Sequence, residues 1–344
     1  MKEYIVAVAG ATGAVGQEII EVLQEFNLPI KKLVPLASAN SLGKKIEFRG
    51  EEIAVKELTE SVFKEEGVEI ALFSAGGSVS AKYAPHAAAA GAVVIDNTSH
   101  FRMQEDVPLV VPEVNKEDIK EWKKTGVIAN PNCSTIQMVT ALKPLDELFD
   151  IERIDIATYQ ATSGAGMQAM EELVDQMKKF FEFKLDDYKP QKFVHQIALN
   201  LIPQIDSFLD TGYTKEEMKM VNETQKIMHK NMQVSATCVR VPVLRGHSEA
   251  VTIKCKKPVD AAKAREALAK AKSIIVQDEP SKSIYPMPRP TSGTNDTYVG
   301  RIRVDNFDPN ILHLWIVADN LRVGAATNAV RIAKEWIKMQ EESK

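Results

Sequence analysis

The sequence predicts an α/β protein of two domains: a parallel sheet interleaved with helices, then an α+β domain on a largely antiparallel mixed sheet. Three observations carry that expectation. Short apolar runs alternate with helical patterns through the first third of the chain, the signature of a parallel sheet. A glycine-spaced loop, GATGAVG at 10–16, separates the first apolar run from the first helical pattern. Beyond residue 150 the apolar residues alternate with polar ones, as half-buried strands require. At 344 residues, 44% of them hydrophobic, the chain has material for two cores.

The elements follow in order. YIVAVAG (4–10) reads as a buried strand, and Val15, Ile19, Val22 and Phe26 lie at helical spacing after it. The same unit recurs as KLVPLAS (32–38), EIALFSAGG (69–77) with its alanine-rich helix, and AVVIDNTS (92–99). VPLVVPEVN and GVIANPN then lead out of the first domain. In the second region RIDIATYQAT, SATCVRVPVL, EAVTIKCKK, TYVGRIRVD and ILHLWIVAD are strands, with helices over 166–181, 215–230 and 260–272. A final amphipathic helix, with Val323, Ala326, Val330, Ala333 and Ile337 on one face, is expected to dock back on the first domain. The expected domains are 1–130 with 321–344, and 131–320.

Several function classes drop out. The charges, 43 basic against 47 acidic, net −4, form no block suited to nucleic acid or an anionic membrane. No stretch approaches the roughly 20 apolar residues of a membrane helix, and the apolar start runs into glycines rather than a cleavage site. Three widely spaced cysteines, Cys133, Cys238 and Cys255, describe neither a disulfide framework nor a metal site. A reducing, cytoplasmic setting is expected, with small-molecule partners or further copies of the chain.

A loop of this kind, after a strand and opening a helix, can hold a pyrophosphate on backbone amides, which makes the first domain Rossmann-type. Gly10, Thr12, Gly13, Ala14, Val15 and Gly16 are its expected cofactor contacts, with the Gly76-Gly77 turn. After the second strand an NAD site would place a carboxylate on the ribose hydroxyls. Here stand Ser38, Ala39, Asn40 and Ser41, with Lys44 and Lys45 beyond, so a 2′-phosphate would meet hydroxyls and cations. NADP(H) is the expected cofactor.

Cys133, in NPNCSTIQ, stands between an Asn-Pro turn and a helix-forming run. At a helix N-terminus a thiol is favoured as thiolate, hence as nucleophile. Cys238 and Cys255, inside alternating strands, read as small buried hydrophobes. Among six histidines His247 stands apart, in a glycine-containing connection between two strands, where it could serve as acid or base. A thiol-dependent dehydrogenase accounts for all of these features. A cofactor-binding regulator without catalysis and a cysteine hydrolase without nicotinamide are the alternatives from other classes.

GATGAVG, NPNCSTIQ, YQATSGAG and RVPVLRGHSE, in this order, together resemble aspartate-semialdehyde dehydrogenases from the first strand to DNLRVGAA near the carboxyl end. The resemblance implies that Cys133 attacks the acyl carbon of aspartyl phosphate and that NADPH reduces the resulting thioester to the semialdehyde. His247 would move protons and Gln160 would orient the substrate. Arg240 would hold the α-carboxylate and Glu223 the ammonium group. Arg102, Lys226 and Asn132 would meet phosphate. Ser163 and Gly164, in a second small-residue turn, and Asn320 would lie near the cofactor. Where some members carry an arginine in the loop after the second strand, this chain has Asn40. A homodimer through the second domain, or a tetramer built from it, is implied as well.

Overall fold

The computed structural model describes residues 2–342. The chain divides into two compact units, 1–132 with 324–344, and 133–323. The first carries strands β1 (Tyr4–Ala9), β2 (Ile30–Ala37), the hairpin pair β3 (Lys45–Phe48) and β4 (Glu51–Ala54), β5 (Lys56–Glu57), β6 (Ile70–Phe73), β7 (Val93–Asp96) and β8 (Val127–Ala129). Six of these form one parallel sheet in the order β5-β2-β1-β6-β7-β8. Its central strands are buried along both faces, which is why β1 and β6 are continuous apolar runs rather than alternating ones.

Helix α1 (Ala14–Glu25) buries Ile19, Ile20, Val22 and Leu23 in the sheet's core. It ends where Asn27 turns to φ 46°, a left-handed conformation that asparagine tolerates. The remaining helices of this unit are α2 (Val62–Glu65), α3 (Gly77–Ala89) and α4 (Pro112–Asn115). The C-terminal helix (Asn328–Glu342) belongs to the same core, through Ala329, Val330, Ile332, Ala333, Trp336 and Ile337. Trp336 meets Tyr4 and Trp122 edge-on, with ring centroids 5.9 and 5.6 Å away. Such pairs are worth about 0.5–1.5 kcal/mol each beyond burial, enough to anchor a helix whose outer face is polar.

The second unit begins with α5 (Cys133–Phe149) and continues through β9 (Ile151–Gln160), α6 (Met167–Phe181), α7 (Lys215–Met228), β10 (Gln233–Arg240), β11 (His247–Cys255), α8 (Ala261–Lys270), β12 (Ile274–Val276), α9 (Pro288–Thr291), β13 (Thr297–Val304) and β14 (Ile311–Ala318). Its sheet has the order β10-β9-β11-β14-β13-β12. The three inner pairings are antiparallel, and the two edge pairings, β9–β10 and β12–β13, are parallel. A parallel pair needs a long crossover, and α6 and α7 with their loops supply it between β9 and β10. Helix α7 starts on a capping box in which Thr214 accepts from Glu217 N–H and Glu217 accepts from Thr214 N–H.

The strand register places the chemistry at one end of the sheet. Arg240 closes β10 directly beside Gln160, which closes β9, while antiparallel β11 starts at that same end with His247 opposite Ala318. Behind them the same face of β11 continues with Glu249, Val251, Ile253 and Cys255, all nearly inaccessible, and α5 packs there. The opposite face carries half-buried Tyr159, Ala250 and Trp315.

In the first unit two glycines set the nucleotide-type loop. Gly10 adopts φ 90° against the backbone of Ser74 and Ala75, and a methyl group on Gly16 would stand 2.1 Å from the Gly10 carbonyl oxygen. Gly16→Ala should therefore force strand and helix apart, costing about 1–3 kcal/mol and lowering the unfolding midpoint by roughly 2–10 °C in a thermal melt. An unchanged midpoint would show that the loop has slack this packing does not contain.

Candidate active site

Cys133 is the first residue of α5 and half-buried. The turn before it is bolted down: Asn130 is fully buried, its amide donates to Asn97 Oδ1 (2.9 Å), its side-chain oxygen accepts from Asn328 (2.7 Å), and its carbonyl accepts from Arg102 Nε (2.9 Å). Pro131 keeps Asn130 extended. The position at a helix N-terminus stabilises thiolate. By contrast burial drives the Cys238 thiol far up and Cys255 up to about 12, which leaves both inert.

One buried residue, Ala161, orients the two groups at the strand ends. Its N–H donates to His247 Nδ1 (3.1 Å), and its carbonyl accepts from Arg240 Nη1 (2.6 Å). With Nδ1 occupied as an acceptor, the neutral imidazole carries its proton on Nε2. Nε2 has no hydrogen-bond partner among the described residues, although the ring is entirely buried. Burial first, and the neighbouring Arg240 charge second, hold this histidine well below the usual imidazole range, so it is neutral at neutral pH. The sequence places His247 in a connection; the structure makes it the opening residue of a strand and takes it wholly out of solvent.

Arg240 is buried too, so its guanidinium is pulled down by desolvation and supported in turn by the charges of Glu216 and Cys133. Gln160 donates, over long distances, to Thr158 Oγ1 (3.3 Å) and Glu216 (3.4 Å). A methyl group on Gly164 would lie 3.0 Å from Arg240 Nη1 and 3.3 Å from His247 Nε2. Gly164, expected beside the cofactor, thus abuts the Arg240 and His247 side chains. Cys133, Gln160, Arg240 and His247 all belong to the second unit, and Cys133 is near enough to Arg240 to act on it electrostatically.

The loop bearing His247 is stapled to the end of β14. Asn320 Oδ1 accepts from Gly246 N–H (2.9 Å) and its amide pairs with Ser163 Oγ (3.0 Å). Asp319, fully buried, accepts from Arg245 Nε (2.5 Å), Gly293 N–H (2.6 Å) and Leu321 N–H (2.9 Å). Sequence reasoning missed Asp319, Glu216 and Ala161. Glu216 lies seven residues before Glu223 on a helix predicted from the sequence, a spacing that puts both on one face, and that signal was available. Glu223 is almost completely buried and Lys226 half-buried, so the two are no exposed surface pair.

Within the first unit, Arg102 is buried and held by the carbonyls of Asn130 and Asn97 (2.8 Å to the latter), and Asn132 is buried. The turn at Gly10 to Gly16 opens α1 on Gly13 with no side-chain cap, which leaves amides to face a ligand. Gly76 and Gly77 open α3 in the same way. Thr12 Oγ1 and Ser41 Oγ are 3.3 Å apart, so the loops after β1 and β2 converge on hydroxyls rather than on a carboxylate. Ser38 to Ser41 form a single tight turn there. Lys45 is taken by Glu52 across the hairpin (2.6 Å) and is a solvated cation. The amides without side-chain caps at the starts of α1 and α3 fit the pyrophosphate of a nicotinamide dinucleotide, and Gly16 lets the loop backbone pack directly on α1.

Comparison with known proteins bears on the same residues. Residues 5–122 match the model described as the semialdehyde dehydrogenase NAD binding domain, and residues 142–323 that of the semialdehyde dehydrogenase dimerisation domain. The chain is 64% identical over 339 residues to an aspartate-semialdehyde dehydrogenase of Campylobacter jejuni, covering 98% of this chain and 99% of that one. Among solved structures it superposes with a TM-score of 0.95 on aspartate semialdehyde dehydrogenase II of Vibrio cholerae complexed with ASA, at 48% identity over 98% of this chain and 99% of that one. It also resembles the Candida albicans enzyme solved with NADP, with a TM-score of 0.74 and 27% identity over 97% and 98% of the two chains. With both domain models matched and a relative identical at 64% over nearly the whole chain, this chain belongs to the aspartate-semialdehyde dehydrogenase family of oxidoreductases.

Proposed function

We propose that the protein reduces L-aspartyl-4-phosphate to L-aspartate 4-semialdehyde with NADPH, through a thioester on Cys133. The observation that supports this most is Ala161, whose N–H and C=O hold a neutral imidazole and a guanidinium from one residue. In this reading the Cys133 thiolate adds to the acyl carbon and phosphate leaves with the C–O bond electrons. NADPH, when bound, supplies the hydride that reduces the thioester. As charge gathers on the carbonyl oxygen, His247 meets it with Nε2–H, and a neutral imidazole suffices for that task. The C–S bond then breaks, releasing the aldehyde and restoring the thiolate.

Arg240 takes the α-carboxylate, because a planar fork matches two carboxylate oxygens and burial removes the competing water. Gln160 orients the reacting carbonyl and Glu223 receives the ammonium group; Arg102, Lys226 and Asn132 meet the phosphate. Ser38 and Ser41 favour NADP(H) over NAD(H) by offering donors without a carboxylate. The product feeds synthesis of lysine and diaminopimelate, threonine, methionine and isoleucine. The enzyme works in the cytoplasm as a homodimer through the second unit's half-buried sheet face, or as a tetramer built from it.

Three outcomes test this. Cys133→Ser should abolish phosphate-dependent NADP reduction by aspartate semialdehyde, followed at the nicotinamide absorbance, while leaving NADPH affinity within about twofold; substantial residual turnover would overturn the covalent route. Arg240→Lys should raise KM for the semialdehyde by roughly ten- to a hundredfold, the loss of one charge-assisted bond of about 1.5–3 kcal/mol, and spare KM for phosphate. Equal losses would reassign that cation. The third concerns acid. Folded His247 takes a proton only well below 6.5, whereas the unfolded imidazole takes it near 6.5, so the unfolded chain binds the extra proton and stability falls as pH drops through that value. One such group contributes a slope of at most about 1.4 kcal/mol per pH unit, and His247→Gln should flatten the decline of denaturant midpoints between neutral and acid pH. Identical slopes for the two proteins would contradict the buried neutral state.

A further inference from the structure

Glu249 is a carboxyl group in an unusual place. It lies two residues after His247 on β11, is fully inaccessible, and neither oxygen meets a partner in good hydrogen-bond geometry. The side chain acting on it is Gln137 of α5, also fully inaccessible, and its own amide atoms are likewise without a well-formed bond. Beside Glu249 in the sheet stand Thr158 and Ile316, and no cation is paired with it among the described residues. Burial pushes its carboxyl well above the usual carboxylate range, with the Gln137 amide acting weakly the other way. A protonated carboxyl and an amide each offer one donor and one acceptor to the other, so this pair can be satisfied without a charge.

The pair's place in the fold gives it meaning. Helix α5 ends at Phe149 and β9 starts at Ile151, reversing direction; β11 is antiparallel to β9, so β11 and α5 run the same way. Gln137 is four residues beyond Cys133, a rise of about 6 Å along the helix. Glu249 is two residues beyond His247 on the same strand face, a rise of about 6.8 Å. Stepping back one helical turn and one pleat from the Gln137–Glu249 contact arrives at Cys133 and His247 with less than about 1 Å of mismatch. A buried polar pair whose bonding is satisfied rigidifies the elements it joins and specifies one arrangement of them.

We propose that Gln137 and Glu249 are positioning residues, an amide–carboxyl pair one turn and one pleat beneath the reacting groups that sets the approach of Cys133 to His247. This rests on the Cys133 reading given above. The test compares Gln137→Leu, Glu249→Leu, the double leucine variant, the exchanged pair Gln137→Glu/Glu249→Gln, and Cys133→Ser. For each, kcat and KM for NADP in the phosphate-dependent oxidation of aspartate semialdehyde are measured alongside Tm.

Each single leucine leaves one buried polar group alone and should lower Tm; the misplacement should lower kcat between tenfold and a hundredfold at nearly constant KM for NADP. The double leucine variant, with both polar groups gone, should regain Tm but not kcat. The exchanged pair keeps size and hydrogen bonding and should restore kcat to within about threefold. Recovery of kcat together with Tm in the double leucine variant would show that the pair only fills space. A folded exchanged pair whose kcat stays tenfold down would also overturn the proposal, and it remains decisive if a leucine variant does not fold. Activity surviving in Cys133→Ser would instead remove the catalytic reading itself, a result distinct from both.

Discussion

The backbone of Ala161 is the constraint on which the candidate site depends. Both of its polar atoms are buried and must be satisfied, and both are satisfied by side chains rather than by a neighbouring strand. One donor chooses the histidine tautomer and one acceptor fixes the arginine fork. A rotation of the backbone on either side of Ala161 would misdirect the His247 or the Arg240 contact. The surrounding loops resist such a rotation: Thr162 and Ser163 bond to the carbonyls of Val243 and Leu244, and Val241 bonds to that of Gln160. Asp319 and Asn320 then tie the histidine's own turn to the end of β14.

Burial of these polar residues has a physical purpose. In water a guanidinium or an imidazole spends its hydrogen-bonding capacity on solvent, and its field is screened within a few ångströms. Enclosed at the sheet end, His247 keeps an unsatisfied Nε2–H and Arg240 keeps a charge that Glu216 supports. Such groups cost stability when idle, which is why they persist only where the scaffold over-determines them. The sheet does so here through register, since Arg240, Gln160 and His247 are each the terminal residue of a strand.

Cys133 is fixed by different means. Its helix supplies the field that favours thiolate, and the chain just before it is held within the first unit by three bonds of the fully buried Asn130. Cys238 and Cys255 show what the same thiol becomes without a helix N-terminus: desolvated, protonated and inert. The contrast is between a dipole end and a strand interior, and it lies in backbone geometry.

Much of this was legible in the linear chain, because the physics concerned is local. Continuous apolar runs become central parallel strands, and the Gly10 to Gly16 spacing marks a turn with no room for a Cβ at Gly16. The cysteine after Asn-Pro-Asn at a helix start could be picked out for the same reason. Residue types alone could not say that Ala161 would orient His247 and Arg240, that Lys45 would pair with Glu52, or that Glu249 would lie against Gln137. Those facts depend on strand register and on which residues, 7 to 112 positions apart, the sheets and helices bring together. The sequence by itself determined the elements and the reactive residue types, since propensity and periodicity act within a few residues. Only the tertiary structure decided protonation, tautomer and aim, since these follow from burial and from partners that chain distance conceals.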